Sequence, residues 1–232
     1  MRAIKGRIAA ACALAAAVTA AHADSTDATN NTVRVGVYEV IYHATADDIS
    51  GPYTPPGLGL SAKDLTTIYL AYVRRLSDHF NVELALGVPP VASMLASGPA
   101  TVGSVPYNGQ KLASARWLAP TLLLEYQFLA PTSSWHPYVG IGANYTTFYD
   151  RQVTATGDQI TGGPTKLSMT ASVGPAGTMG INWNPWGGLD LNLSYSASIV
   201  DSKVTTDTAG ILRSTKVQFL PAPIVFSVGW RF

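Results

Sequence analysis

The chain has 232 residues, 12% of them charged and 47% hydrophobic, with 21 glycines and a mean hydropathy of +0.17. So little charge is unusual for a soluble domain, yet beyond residue 23 no segment approaches the roughly 18 consecutive apolar residues of a membrane-crossing helix, which leaves a closed strand barrel as the spanning structure. With the three basic residues of the leader set aside, 12 Lys+Arg face 14 Asp+Glu, a formal charge of −2, and no basic field points to nucleic acid.

Residues 1–23 divide into a basic start (Arg2, Lys5, Arg7), an apolar stretch from Ile8 to Ala21 and the small-residue site Ala21-His22-Ala23. This is the layout of a cleavable secretory signal, and about 14 apolar residues are too few to anchor a chain in hydrocarbon. Cys12 is the single cysteine, so the mature chain, residues 24–232, has no thiol for a disulfide or a metal. It is expected to form one exported domain in the bacterial outer membrane.

Eight segments have the length and period-two alternation of barrel strands, 33–43, 64–75, 80–90, 115–128, 137–149, 166–182, 188–201 and 216–232. The predicted fold is all-β, an eight-stranded antiparallel transmembrane β-barrel. In the first segment Val33, Val35 and Val37 face lipid and Arg34 faces inward, while Glu39 breaks the pattern by falling on the lipid side. In the third, Val82, Leu84 and Leu86 oppose an inward Glu83; in the fourth, Leu124, Tyr126 and Phe128 oppose Leu123, Glu125 and Gln127. Val139, Ile141, Ala143 and Tyr145 alternate with polar or small residues in the fifth, and Leu189, Leu191, Leu193 and Tyr195 with Asp190, Asn192 and Ser194 in the seventh.

Connections alternate too. Short links fall at 76–79, 129–136 and 183–187, long ones at 44–63, 91–114, 150–165 and 202–215, as expected of short periplasmic turns and long extracellular loops. The last segment turns Phe226, Val228, Trp230 and Phe232 outward, and the aromatic end, Trp230 and Phe232, has the form of a signal for the barrel-insertion machinery.

This register places Arg34, Glu83, Glu125, Gln127, Asp190 and Arg231 in the lumen towards the periplasmic end. Mixed signs at one level predict a paired plug or a narrow polar constriction. Higher up, Phe219, Pro221, Pro223, Val225 and Leu123 predict an apolar lining for a small hydrophobic solute, or else a core that fills a small barrel. Pro221 and Pro223 cannot donate to a ladder and predict a local break in the wall.

Leu118-Ala119-Pro120-Thr121-Leu122 running into Glu125-Tyr126-Gln127-Phe128, the run from Pro137 to Phe148, and the ending Phe226 to Phe232 resemble the OmpW family of small outer-membrane barrels over essentially the whole mature length. The resemblance implies an eight-stranded barrel with a hydrophobic channel for small apolar molecules, and in some relatives a receptor for phage or colicin. The loop with Pro52, Pro55 and Pro56 and the stretch from Gly174 to Gly177 depart from the family pattern.

The leading expectation is passive passage of small hydrophobic molecules, without catalysis and without a cofactor or metal. Two alternatives are a filled barrel presenting loops to phage, colicin or host, and a lipid-modifying enzyme built around one of the three mature histidines. His43 stands near Asp47 and Asp48, while His79 and His136 are expected as exposed residues of short turns, with no nucleophile motif beside them.

Overall fold

The computed structural model describes residues 30–99, 101–102, 105–185 and 188–232. The expected signal peptide lies outside the described residues. In chain order the elements are β1 (Asn31–Tyr42), β2 (Thr45–Ala46), β3 (Gly59–Ala62), β4 (Leu65–Arg75), β5 (Phe80–Gly87), β6 (Val91–Ser97), β7 (Thr101–Val102), β8 (Val105–Pro106), β9 (Lys111–Leu118), β10 (Thr121–Gln127) and β11 (Trp135–Val153). They continue with α1 (Ala155–Thr161), β12 (Thr165–Met169), β13 (Ser172–Trp183), β14 (Leu189–Ser198), β15 (Val200–Thr208), β16 (Ile211–Phe219) and β17 (Pro221–Arg231).

Eight strands form a ring in the order β10-β5-β4-β1-β17-β14-β13-β11, closed by pairing of β10 with β11, and every contact in it is antiparallel. Closure leaves no sheet edge along the paired length of the ring, so ladder donors there have a partner strand on either side. All eight predicted segments contribute one barrel strand each. Their outward residues form the lipid face: Val33, Val35, Val37, Leu124, Val139, Leu193 and Phe226 are exposed, and Ile141 is 75% exposed. Aromatic residues collect at the short-turn end, where Trp135 stacks on Trp183 with ring centroids 5.3 Å apart and Tyr126 packs edge-on against Phe80 and Phe128. Such a girdle suits the headgroup level of a bilayer.

Glu39 faces outward without any bulge. Its rung joins Thr66 on β4 and Ile224 on β17 in unbroken register, one pair below the upper end of β4, where Lys63 and Asp64 are exposed. The carboxylate thus stands at the upper rim of the apolar band, where water is within reach.

The long connections differ from expectation, because all of them contain regular structure and two, 91–114 and 202–215, are mostly strand. Predicted loop 202–215 is the hairpin β15–β16, turned by Ala209 (φ 50°) and Gly210 (φ 88°). Two successive positive φ values make the turn whose twist matches a hairpin. Predicted loop 91–114 carries the β6–β9 pairing, and 150–165 contains α1, whose first turn is capped by the Thr154 hydroxyl accepting from Gly157 N at 3.0 Å. These elements build two open sheets above the ring, β12-β15-β16-β2 and the upper half of β11 with β9, β6 and β3. Their facing residues, Met94, Ala113, Ala115, Met169, Val204 and Val217, enclose an apolar core of their own.

Among the described residues β11 is the strand that runs unbroken from ring to crown, over 19 residues. The others stop and restart at one level, several of them at proline: Pro89-Pro90 between β5 and β6, Pro120 between β9 and β10, and Pro221 as the first residue of β17. A residue without an N–H cannot carry a ladder across that level. The predicted segments 115–128, 166–182, 188–201 and 216–232 each ran across such a break.

Candidate functional site: a sealed floor beneath an apolar chamber

The inward side chains of the lower ring converge on Arg34, which is 1% exposed. Its Nη1 donates to Glu83 Oε2 at 2.5 Å and its Nη2 to Asn182 Oδ1 at 2.9 Å, with Asp190 Oδ2 at 3.6 Å. Register explains the meeting. Arg34 is opposite Gly229 on β17, and Gly229 is opposite Asp190 on β14. A Cβ on Gly229 would lie 3.1 Å from Arg34 Cγ and 2.8 Å from Thr32 Cγ2, so a bare backbone there lets the arginine stem lie across the strand.

The network extends outward. Tyr69 donates its hydroxyl to Glu83, and Asn192 Nδ2 donates to Asn182 Oδ1 at 2.7 Å and to the Tyr138 hydroxyl at 3.0 Å. Glu125 is 0% exposed, on rungs with Asn81 and Gly140. Arg231, half-buried at the short-turn end, reaches Asp190 at 3.7 Å. Gln127 is half-buried on the same inner face below Glu125. Of the six residues expected at a constriction, Arg34, Glu83, Glu125 and Asp190 therefore form one buried group, Arg231 joins its margin, and Gln127 stands apart.

Above this floor lies a cavity of about 120 Å³. All five residues expected to line it do so, Leu123, Val225 and Phe219 buried and Pro221 and Pro223 half-buried. Tyr38, Val40, Tyr69, Trp117 and Phe148 complete much of the wall, and Phe219 packs between Tyr42 and Phe148 with centroids 6.4 and 6.0 Å away. Tyr38 and Val40 were legible by extending the alternation from Arg34. Met94 was hidden by its assignment to a loop.

The ladder around this chamber is interrupted in two places. Pairing of β14 with β17 ends at Tyr195–Ile224 and resumes as β15–β16 at Val200–Phe219, leaving 196–199 and 220–223 without a ladder between them. Pairing of β5 with β10 ends at Ala85–Thr121 and resumes as β6–β9 at Val91–Arg116. Outward-facing residues at both gaps, Ala197 and Leu86, line the chamber.

His136 corrects an expectation. It is the second residue of β11, buried, on the inner face opposite Asn182, rather than exposed in a turn. His43 is exposed just beyond β1, and His79 Nδ1 lies 2.9 Å from Gln127 O in the short turn. Among the described residues no three His, Cys, Asp or Glu side chains converge as a metal set. Trp230 and Phe232 project outward, and the backbone of Phe232 pairs with Asn31 at 2.9 and 3.1 Å.

Comparison with known proteins agrees with this architecture. The chain is 26% identical over 200 residues to outer membrane protein W of Vibrio cholerae serotype O1, covering 86% of this chain and 87% of the relative. To outer membrane protein W of Escherichia coli K12 it is 29% identical over 174 residues, 75% of this chain and 76% of the relative. The crystal structure of the outer membrane protein OprG from Pseudomonas aeruginosa superposes with a TM-score of 0.76 at 24% identity, covering 88% of this chain and 96% of that one. The OmpW family model matches residues 27–232, and the chain, an outer-membrane β-barrel embedded in the membrane lipid, belongs to the OmpW family.

Proposed function

We propose that this barrel takes small hydrophobic molecules from the extracellular side into its upper chamber and releases them sideways into the outer membrane, passively and without chemistry. One arrangement carries the reading: the chamber communicates with outward residues Ala197 and Leu86, while the floor below is filled by buried, ion-paired side chains. An apolar solute gains by leaving water for such a lining and would have to desolvate the floor's charges to continue downward, which is costly. The side gaps are the cheaper route.

The test is the rate at which cells expressing the chain accumulate naphthalene, compared with equally assembled variants. Ala197→Trp and Leu86→Trp together should slow accumulation to the rate of cells lacking the protein, whereas Gln127→Ala at the floor should leave it unchanged. Unaltered uptake in the double variant would dismiss the lateral route. Planar-bilayer recordings provide a second check: a sealed floor predicts no steady ionic current, and large open steps would contradict it.

A further inference from the structure

A second cavity, larger at about 310 Å³, lies in the crown between the two upper sheets and α1. Its volume is at the low end of small-molecule sites, which run from about 300 Å³ upward. Leu58, Tyr107, Leu112, Ile160 and Leu167 give it an apolar wall, and Tyr107 is fixed there by donating to Gly59 O at 3.0 Å. Among the described residues Arg213 is the one cation that lines it.

That arginine has an unusual setting. Its Nε donates to Pro52 O at 3.1 Å, and Nη1 lies 3.4 Å from Thr161 O and 3.5 Å from Thr208 Oγ1, so neutral acceptors hold it in place. Among the described residues no carboxylate lies within ion-pair distance of it. Three of the crown's acids are engaged elsewhere: Asp48 accepts from Gly57 N, Asp158 from Thr165 N and Asp207 from Gly210 N. Beside the guanidinium runs a chain of hydroxyls, Thr161 to Thr165 at 2.6 Å and Thr165 to Thr208 at 2.9 Å. An oriented guanidinium that lacks a carboxylate partner, set in an apolar cavity, matches a ligand with one carboxylate on an apolar body.

We propose that the crown cavity is a binding site for small amphipathic carboxylates of the medium-chain alkanoate kind, with Arg213 receiving the acid group. The proposal goes beyond the lateral-release reading and does not depend on it. Met94 lines both cavities, which makes it the partition between an outer site that recognises charge and an inner chamber that does not.

The experiment is calorimetric titration of the full chain in lipid nanodiscs with octanoate and with octan-1-ol, each corrected by empty nanodiscs. The native protein should prefer the acid by about tenfold, the scale of one charge-assisted hydrogen bond. Arg213→Gln should bring the ratio close to one, Ile160→Trp should remove the preference for octanoate by filling the cavity, and Leu123→Trp in the inner chamber should leave octanoate binding unchanged. A preference for octanoate that survives Arg213→Gln, or binding no greater than to empty nanodiscs, would overturn the assignment. If Arg213→Gln binds neither probe, Arg213→Lys decides: retained octanoate binding supports the site and lost binding refutes it. Since Leu123→Trp bears on solute release alone, failure of one reading is told apart from failure of the other.

Discussion

Arg34 shows what a single inward side chain can demand of a barrel. Two carboxylates, Glu83 and Asp190, lie within ion-pair distance of it with almost no access to solvent, so the guanidinium offsets much of the cost of their burial. Removing one partner of such a set costs far more than the set contributes when intact. Arg34→Met is expected to destabilise the barrel by about 3–5 kcal/mol, read as a lower midpoint in urea unfolding of the refolded protein. Arg34→Lys should fall between, because an ammonium cannot reach Glu83 and Asn182 with two directed donors. Gly229→Ala is a milder probe of the same place. Its new methyl would meet Thr32 and Arg34 at 2.8 and 3.1 Å, and a loss of about 1–3 kcal/mol is expected from overpacking.

At the scale of the element, the informative feature is interruption. Seven barrel strands end where the ring meets the crown, and proline marks several of the joins. The consequence at β17 is that Pro221 and Pro223 retain rungs with Tyr42 and Val40 of β1 but face no ladder on the β14 side. Pro221→Thr with Pro223→Val would supply two N–H donors and β-branched side chains suited to a strand. The expected outcome is a β14–β17 ladder extended upward, seen as slowed amide exchange at 196–198, together with slower naphthalene uptake. Exchange that slows while uptake stays constant would restrict release to the gap beside Leu86. The eight alternating segments were legible because lipid on one side and a packed lumen on the other enforce period two. The upper hairpins were not, since they lie above the hydrocarbon, where both faces can be polar and a strand such as Ser202–Thr206 resembles a loop in composition.

For the molecule as a whole, the ring and the crown form separate packed units, the lower held by lipid contact and a polar interior, the upper by an apolar core between two sheets. Replacing Asp201–Gln218 by a short turn should therefore leave a barrel with cooperative thermal unfolding by circular dichroism, while removing Val204 and Val217 from the crown core and abolishing octanoate binding. If Trp230 and Phe232 are read by the insertion machinery, deleting Phe232 should lower the assembled fraction in cells several-fold yet leave refolding in detergent intact, since its side chain lies on the exposed face.

The sequence by itself determined the number of barrel strands, their inward and outward faces, and part of the set of residues that meet in the plug and line the chamber. It could do so because a regular ladder carries alternation from one rung to the next without a slip. Tertiary structure alone decided what closes and what opens. Whether Arg34 reaches Asp190 depends on a glycine of the neighbouring strand that stands between them, and whether the wall parts depends on where neighbouring strands stop. The crown cavity required α1, β9 and β16 to be brought around one space, and Arg213 had no sequence signal because its distinction is the absence of a carboxylate neighbour among the described residues, a property of the fold rather than of the chain.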